Sequence, residues 1–422
     1  MKNITKKNIA IIGFGIVGGG TYDILTANRK MIADNQGVDI TVSKVLDLDA
    51  TKLRAKGVPE AAIAKGIDEI VSDPNIDVVV ETIGGVEPAK SMILASLKAG
   101  KSVVTANKEL ISKHFVELRN AESDCARLYF EASCAGGVPV IRTLGSAMQA
   151  NNIVEVMGII NGTTNFILDK MSTEGLGYAE ALKIAQDLGY AEANPAADVE
   201  GYDAMYKLSI LSSLAFRTHI PYTGISREGI DKITPRDIAI GKVMGYTVKL
   251  LGIARKSGSK IEARVHPCFV PNTHPLSGIG GSYNAVYLKG DFVDDIMLYG
   301  RGAGAHPTGS AIVSDIVMAL IGNCVPMIAY DGKAVSVESN YVSKYYFSIA
   351  AADKAGVLAK VTAVLAKFGV SIVSMTQSKP TDGQAYISFL THDTYEQSMS
   401  KAIAEIAKIT EVTNVDSMIR VI

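Results

Sequence analysis

The chain has 422 residues, 48% of them hydrophobic and 20% charged, with a formal net charge of −1 at pH 7. That length supports two or three domains, and the composition excludes wholesale disorder. Balanced charge with no run of one sign leaves no electrostatic footprint for nucleic acid or an acidic membrane, so a small-molecule partner is expected.

The N-terminal lysines Lys2, Lys6 and Lys7 ahead of IAIIGFGIVGGG mimic a signal peptide, but glycines interrupt the apolar run and no small-x-small cleavage site follows. Asn8 to Ile12 reads instead as a short strand running into Gly13, Gly15 and Gly18 at G-x-G-x-x-G spacing. In that pattern the backbone from Gly13 through Phe14, Gly15, Ile16 and Val17 to Gly18 turns sharply into a helix whose N-terminal N–H groups face a pyrophosphate. A helix over roughly 21–35 and a second strand, ITVSKVLDLD, follow. Asp47 ends that strand, where a carboxylate accepts hydrogen bonds from the ribose of NAD; Lys44, Lys52 and Arg54 are nearby cations for a 2′-phosphate, so NAD and NADP both remain open. Asp47 and Asp49 also read as simply polar residues at a strand end.

The alternation continues through IDVVVETIGG, a helix SMILASLKAG, KSVVTANKEL, a helix over roughly 112–125, and RLYFEASCAGGVPVIRTL. This βαβ rhythm predicts a Rossmann-like, doubly wound parallel sheet with its ligand at the carboxyl ends of the strands, where Thr82 and Lys108 fall. The four cysteines, Cys125, Cys134, Cys268 and Cys324, lack Cys-x-x-Cys spacing, which speaks against a disulfide framework or thiolate zinc and fits a reducing cytoplasm. No stretch reaches ~18 uninterrupted apolar residues, so no membrane span is expected.

From Asn152 the texture changes to an α+β domain for substrate and dimerisation. NIVEVMGIINGTTNFILDKM reads as a strand, an Asn-Gly turn and a helix; its strand is a candidate for pairing across a two-fold axis. The stretch Ala185–Lys207 is the densest in chemistry. It carries Glu192, Asp198, Glu200, Asp203 and Lys207 after a break at Gly189-Tyr190 and a turn at Asn194-Pro195. VEGYDAMYKLSILSSLAF reads as one helix with Asp203 and Lys207 at i and i+4 on a face that becomes apolar. Such a pair is either a structural ion pair or a proton-transfer pair. Beyond a strand-rich region (IEARVHPCFV, YNAVYLKG, DFVDDIMLYG), a second glycine loop with Gly300, Gly302 and Gly304 precedes a helical run and suits close backbone approach. Residues 344 onward read as βαββαβ, a ferredoxin-like module. The expected domains are 1–145 for dinucleotide binding, with 300–330 packing back on it, 146–330 for substrate and catalysis, and 344–422 for regulation.

Together, GFGIVG, TANK, EASCAGGVP, NGTTNFIL and the Ala185–Lys207 stretch resemble the homoserine dehydrogenase family, with a C-terminal ACT domain. The resemblance implies NAD(P)-dependent interconversion of L-homoserine and L-aspartate 4-semialdehyde, in the pathway to threonine, methionine and isoleucine. By the matching positions, Lys207 would be the proton donor and Asp203 would hold the reacting oxygen or its water. Glu192 would take the substrate's ammonium group with Asp198 in support, and Lys108 would lie near nicotinamide and substrate. Gly189 and Gly304 would join the glycine turn, Asp47 and Thr82 in contacting the cofactor. A monovalent cation, sodium, would sit at Glu131 and the carbonyls of Cys134, Gly136 and Val138. The ACT resemblance implies an amino-acid effector, threonine first, and a homodimer or homotetramer. Two rivals stand: an aspartate semialdehyde dehydrogenase with Cys134 as nucleophile, and a catalytically dead sensor.

Overall fold

The computed structural model describes residues 4–322, 335–378 and 384–422, so Cys324 lies outside the described residues. The chain divides into two compact units, each discontinuous in sequence: Met1–Val156 with Tyr206–Gly224 and Tyr283–Val335, and Met157–Met205 with Ile225–Ser282 and Ser336–Ile422.

The first unit is built on a parallel five-stranded sheet. Its strands are β1 (Thr5–Ile12), β2 (Val38–Leu46), β3 (Ile76–Glu81), β4 (Ser102–Thr105) and β5 (Leu128–Tyr129), in the order β2-β1-β3-β4-β5. Buried on both faces, β1, β3 and β4 are near-continuous apolar runs, as parallel strands must be. The first helix begins at Ile16, five residues before the expected start, and runs to Ala27; a second, Arg29–Gln36, follows. Gly18, Gly19 and Gly20 thus lie inside a helix despite their poor propensity, because packing requires it. A Cβ on Gly18 would stand 2.1 Å from the Gly13 carbonyl oxygen, and one on Gly20 would stand 2.5 Å from that of Ala305. The helix Ala305–Leu320 therefore crosses the first helix at backbone contact, and Ala311, Ile312, Val313 and Ile316 share a core with β1, β2 and β3.

In the second unit the strands Tyr246–Ser257 and Lys260–Pro271 form a long antiparallel hairpin in register from Tyr246↔Pro271 to Ser257↔Lys260. The C-terminal module follows βαββαβ: strands Val342–Ala352, Ile372–Gln377, Gln384–Thr391 and Val412–Val421 with helices Val357–Lys367 and Glu396–Ile406. Its sheet joins the hairpin edge to edge, through Arg420↔Cys268 and Val421↔Phe269. Strand alternation sorts the two faces. Tyr345, Phe347, Ile349 and Ala351 pack under the module's helices. On the opposite face Tyr346 and Ser417 reach the fully buried Asp237, at 3.2 and 2.6 Å. Asp237 also closes a capping box with Thr234 at the start of the helix Pro235–Val243.

Two expectations need correction. The strand Ile153–Ile159 has five buried residues among its seven and lies inside its sheet rather than at an edge, so it is not an exposed pairing surface. The Val199–Phe216 stretch is not one helix: Gly201, at φ +84°, separates a short turn Ala196–Val199 from the helix Tyr202–Phe216.

Candidate active site

At the carboxyl ends of β1, β2 and β3 the first unit holds a cleft of about 470 Å³, lined by Gly13, Gly15, Asp47 and Thr82 among others. The three motif glycines divide their work. Gly13, at φ +89°, makes the tight turn against Thr82, where a Cβ would come within 2.7 Å of backbone. Gly18 presses the helix onto that turn, whereas a Cβ on Gly15, which precedes the helix Ile16–Ala27, would meet nothing within 4 Å. Open space at Gly15 is what a pyrophosphate needs to approach the helix N-terminus. Phe14 turns its ring into the core and offers only backbone, Val17 packs beside that core, and Ile16 is exposed.

The strand ends are fixed by carboxylates. Asp47 accepts from the Phe14 N–H at 2.5 Å and the Asp49 N–H at 2.9 Å. Buried Glu81 accepts from the N–H groups of Ile83 and Gly84 and from the Thr105 hydroxyl, at 2.7, 3.3 and 2.6 Å. Thr82 donates its hydroxyl to the Gly13 carbonyl at 2.7 Å. Asn107 caps the helix Lys108–Asn120 and donates to the Gly85 carbonyl, which puts half-buried Lys108 in the first helical position. Of the cations flagged near Asp47, Lys52 lines the cleft; Arg54 is held bidentate by Glu60, and Lys44 lies 3.6 Å from Glu69. Lys65, which sequence reasoning passed over, lines it as well. Gly304, at φ +119°, caps the helix Ala305–Leu320, and His306 is exposed.

Glu131 is buried, with its carboxylate accepting from the Ile141 and Arg142 N–H groups at 2.8 and 2.7 Å. Burial, reinforced by the charge of Asp315, pushes its pKa up to about 7. Arg142 reaches Asp315 at 3.1 Å, so one guanidinium faces two buried carboxylates. The next turn, Cys134 to Val138, passes through Ala135 and Gly136 at φ +55° each. Gly136 abuts Gly302, against which lies fully buried Asn284, with neither amide atom in a hydrogen bond. A carboxylate, turn carbonyls and an unsatisfied amide oxygen are hard donors that suit a monovalent cation. The Cys134 thiol is buried and donates to the Lys207 carbonyl at 3.8 Å, a poor setting for a nucleophile.

In the second unit one residue gathers the acidic stretch. Asn161 donates through Nδ2 to Asp198 at 2.7 Å and to Asp203 at 2.8 Å. Its Oδ1 accepts from the Thr164 N–H and hydroxyl, capping the helix Gly162–Glu174. Sequence reasoning quoted the NGTTNFIL segment but assigned Asn161 no role; Asn ahead of Gly-Thr-Thr is an N-cap signal, and the two carboxylates it grips are far away in sequence. Asp203 and Lys207 stand one turn apart on the helix Tyr202–Phe216, 7% and 8% exposed. An acid and a lysine both this buried are not a solvated surface pair. Glu192 is exposed, its carbonyl accepting from Gln186 at 3.1 Å, and Gly189 ends the preceding helix at φ +74°.

A Rossmann-like sheet with an open glycine turn, buried acidic and lysine side chains and an appended ACT module define an NAD(P)-dependent oxidoreductase with an amino-acid-binding domain. The family models agree: homoserine dehydrogenase, NAD binding domain, matches residues 13–131; homoserine dehydrogenase matches 139–317; and ACT domain matches 345–411. The chain is 39% identical to a homoserine dehydrogenase of Bacillus subtilis, with 98% of each chain covered, and 40% identical to one of Neisseria gonorrhoeae over the same shares. A solved homoserine dehydrogenase from Thiobacillus denitrificans superposes with a TM-score of 0.93 at 37% identity, covering 100% of this chain and 99% of that one. A hyperthermophilic archaeal homoserine dehydrogenase, solved in complex with NADPH, has a TM-score of 0.63 at 28% identity, covering 75% and 98%. The chain belongs to the homoserine dehydrogenase family.

Proposed function

We propose that the chain interconverts L-homoserine and L-aspartate 4-semialdehyde with Lys207 moving the proton, in the branch of amino-acid biosynthesis that leads to threonine, methionine and isoleucine. The observation that supports this most is the buried Asp203 and Lys207, one turn apart, with Asp203 held beside Asp198 by a single asparagine. NADP or NAD supplies the hydride. Gly13 to Gly18, Asp47, Thr82, Lys108, Gly189 and Gly304 would hold it.

The protein's own work is then to bind a zwitterion, orient its reacting carbon and place a proton. Glu192 and Asp198 receive the ammonium group. Asp203 positions the reacting oxygen or its water. Lys207 donates to that oxygen on reduction and accepts from it on oxidation. Sodium, or another monovalent cation, at Glu131 and the carbonyls of Cys134, Gly136 and Val138 fixes the adjacent turn. The ACT module carries feedback by an amino acid, with threonine the first candidate, and the enzyme works as a homodimer or homotetramer in the cytoplasm.

The test is oxidation of L-homoserine followed by absorbance of the reduced cofactor, with NAD and NADP in parallel. Lys207→Ala should abolish turnover while cofactor binding persists. A folded wild-type enzyme that binds nucleotide but turns over with neither cofactor overturns the assignment.

A further inference from the structure

The three carboxylates assigned to the substrate hang on the first turn of one helix, Gly162–Glu174. Asn161, its N-cap, bonds Asp198 and Asp203. Thr163 donates its hydroxyl to the Tyr190 carbonyl at 2.7 Å, and the Phe166 ring packs 4.8 Å from that of Tyr190, two residues before Glu192. The position of this helix along its own axis therefore sets where the acids lie. Burial of Ile167, Leu168 and Met171 holds the helix in the core, but such packing is non-directional and leaves the axial position loosely specified.

A polar stripe on the same helix supplies the direction. Asn161, Asn165 and Asp169 recur every fourth residue and so share a face. Asn165 is 1% exposed, and its Nδ2 donates to the carbonyls of Ile279 and Gly281 at 3.1 and 3.0 Å. Asp169 accepts from the Gly281 N–H at 2.9 Å; a Cβ on the neighbouring Gly280 would stand 3.2 Å from the same carboxylate. Lys249, 2% exposed on the strand Tyr246–Ser257, closes the arrangement by donating to Asn165 Oδ1 at 3.1 Å and to the Ile279 carbonyl at 2.6 Å. An ammonium can only donate, so it dictates which way the Asn165 amide faces and leaves Nδ2 to meet both loop carbonyls.

Another buried lysine provides the contrast. Lys101, 4% exposed, donates to the carbonyls of Asp73 and Ile76 at 2.5 and 2.9 Å, and so fastens the turn that leads into β3. Lys249 is bonded instead to the helix that carries the acids. We propose that Lys249 is a positioning residue for the reaction: through Asn165 it keeps the helix Gly162–Glu174 in register with the loop Ile279–Gly281, and that register sets the spacing of Glu192, Asp198 and Asp203. The kinetic consequence rests on the function proposed above; the mechanical coupling does not.

Lys249→Met has a side chain of comparable length and removes both hydrogen bonds. Misplacing a catalytic constellation by about 1 Å costs on the order of a hundredfold, so kcat/KM for homoserine should fall about ten- to a hundredfold, measured well below the melting transition. The Kd of NADPH, read from its fluorescence, should stay within about twofold of wild type. Lys101→Met should shift the melting temperature but leave kcat/KM within about threefold of wild type. Because Lys249 acts through Asn161, adding Lys249→Met to Asn161→Asp should leave kcat/KM more than about threefold above the product of the two single losses. Losses that multiply to within that factor overturn the proposal, as does a wild-type kcat/KM in Lys249→Met. Hydrogen exchange reads the coupling without the reaction: in Lys249→Met the amides of residues 161–165 and 198–203 should exchange at least about fivefold faster, with those of β1 and β3 unchanged. Unaltered exchange in both segments overturns the coupling. A wild-type enzyme that fails to oxidise homoserine, with the exchange response present, overturns the catalytic assignment alone.

Discussion

Asn161→Asp separates the two tasks of the residue that holds the acidic pair. An aspartate caps a helix about as well as asparagine, so the acceptor for the Thr164 N–H survives and the ~1 kcal/mol of the cap is kept. What is lost is the Nδ2 donor, bonded to Asp198 at 2.7 Å and to Asp203 at 2.8 Å. Hydrogen bonds to charged groups contribute about 1.5–3 kcal/mol each, so two of them amount to roughly 3–6 kcal/mol. With half of that bearing on transition-state geometry, roughly 1.5–3 kcal/mol, kcat/KM for homoserine falls about ten- to 150-fold. The third carboxyl also has its pKa raised by two like charges and protonates first as pH falls. Its acid form recovers one donor, so the deficit relative to wild type should shrink below neutral pH. Steady-state kinetics from pH 6 to 9, with thermal melts on the same samples, make the measurement. A kcat/KM within about threefold of wild type at every pH, in a protein of unchanged stability, would refute the assignment of Asn161 as the organiser of Asp198 and Asp203.

Gly15→Ala should leave the melting temperature unchanged, because its Cβ enters empty space, yet raise KM for the dinucleotide about tenfold by occupying the approach to the helix N-terminus. Gly18→Ala, 2.1 Å from the Gly13 oxygen, should instead cost stability, on the order of 2–4 kcal/mol by denaturant titration. Arg420→Met strands the Glu396 and Glu228 carboxylates that it now bonds at 2.6 Å each, and should destabilise the chain by about 3–5 kcal/mol. Lys249, buried and bonded to Asn165 and the Ile279 carbonyl, has its pKa pulled down to about 8 by desolvation. Between that value and its unfolded pKa the unfolded chain binds more protons, so this group's contribution to stability rises with pH from about 8 to about 10.4, by up to roughly 3 kcal/mol. Lys249→Met lacks that term, and the wild-type minus variant unfolding free energy should therefore increase over this interval. A flat difference would mean that Lys249 titrates normally.

What the sequence made legible was periodic. Parallel strands buried on both faces are runs of Val and Ile, and the ACT module alternates strand, helix and strand over local distances, so both could be read directly. Where the reading slipped, long-range packing overrode local preference. The helix expected from about residue 21 begins at Ile16, and Gly18 and Gly20 are helical because neighbouring backbone leaves no room for a side chain. Asp49, weighed as an ordinary strand-end residue, is the N-cap of the helix Ala50–Ala55, accepting from the Thr51 N–H at 3.0 Å. Arg54, read as one of three cations near Asp47, is held bidentate by Glu60, a partner no local pattern announced. Asn161 carried no periodic signal at all, since its partners lie 37 and 42 residues on.

Those side-chain contacts share a logic that bears on catalysis. Asp47, Glu81 and Glu131, each placed just after or at the end of a strand in the first unit, turn back to accept two or more hydrogen bonds, mostly from backbone N–H groups of the turns around them. A turn left to itself would have to be ordered when ligand arrives, at about 1–2 kcal/mol per residue fixed. Carboxylates that tie the turns beforehand move that cost into folding, so the glycine loop, the Ile83–Gly85 turn and the Cys134–Val138 turn are set before any cofactor is present. It follows that neutralising one of them, as in Glu81→Gln, weakens dinucleotide binding without removing a single direct contact. The glutamine keeps an acceptor for Ile83 or Thr105 but also presents an NH2 group where only donors now point. A cofactor affinity in Glu81→Gln equal to wild type would show that the Ile83–Gly85 turn holds its shape without the charge.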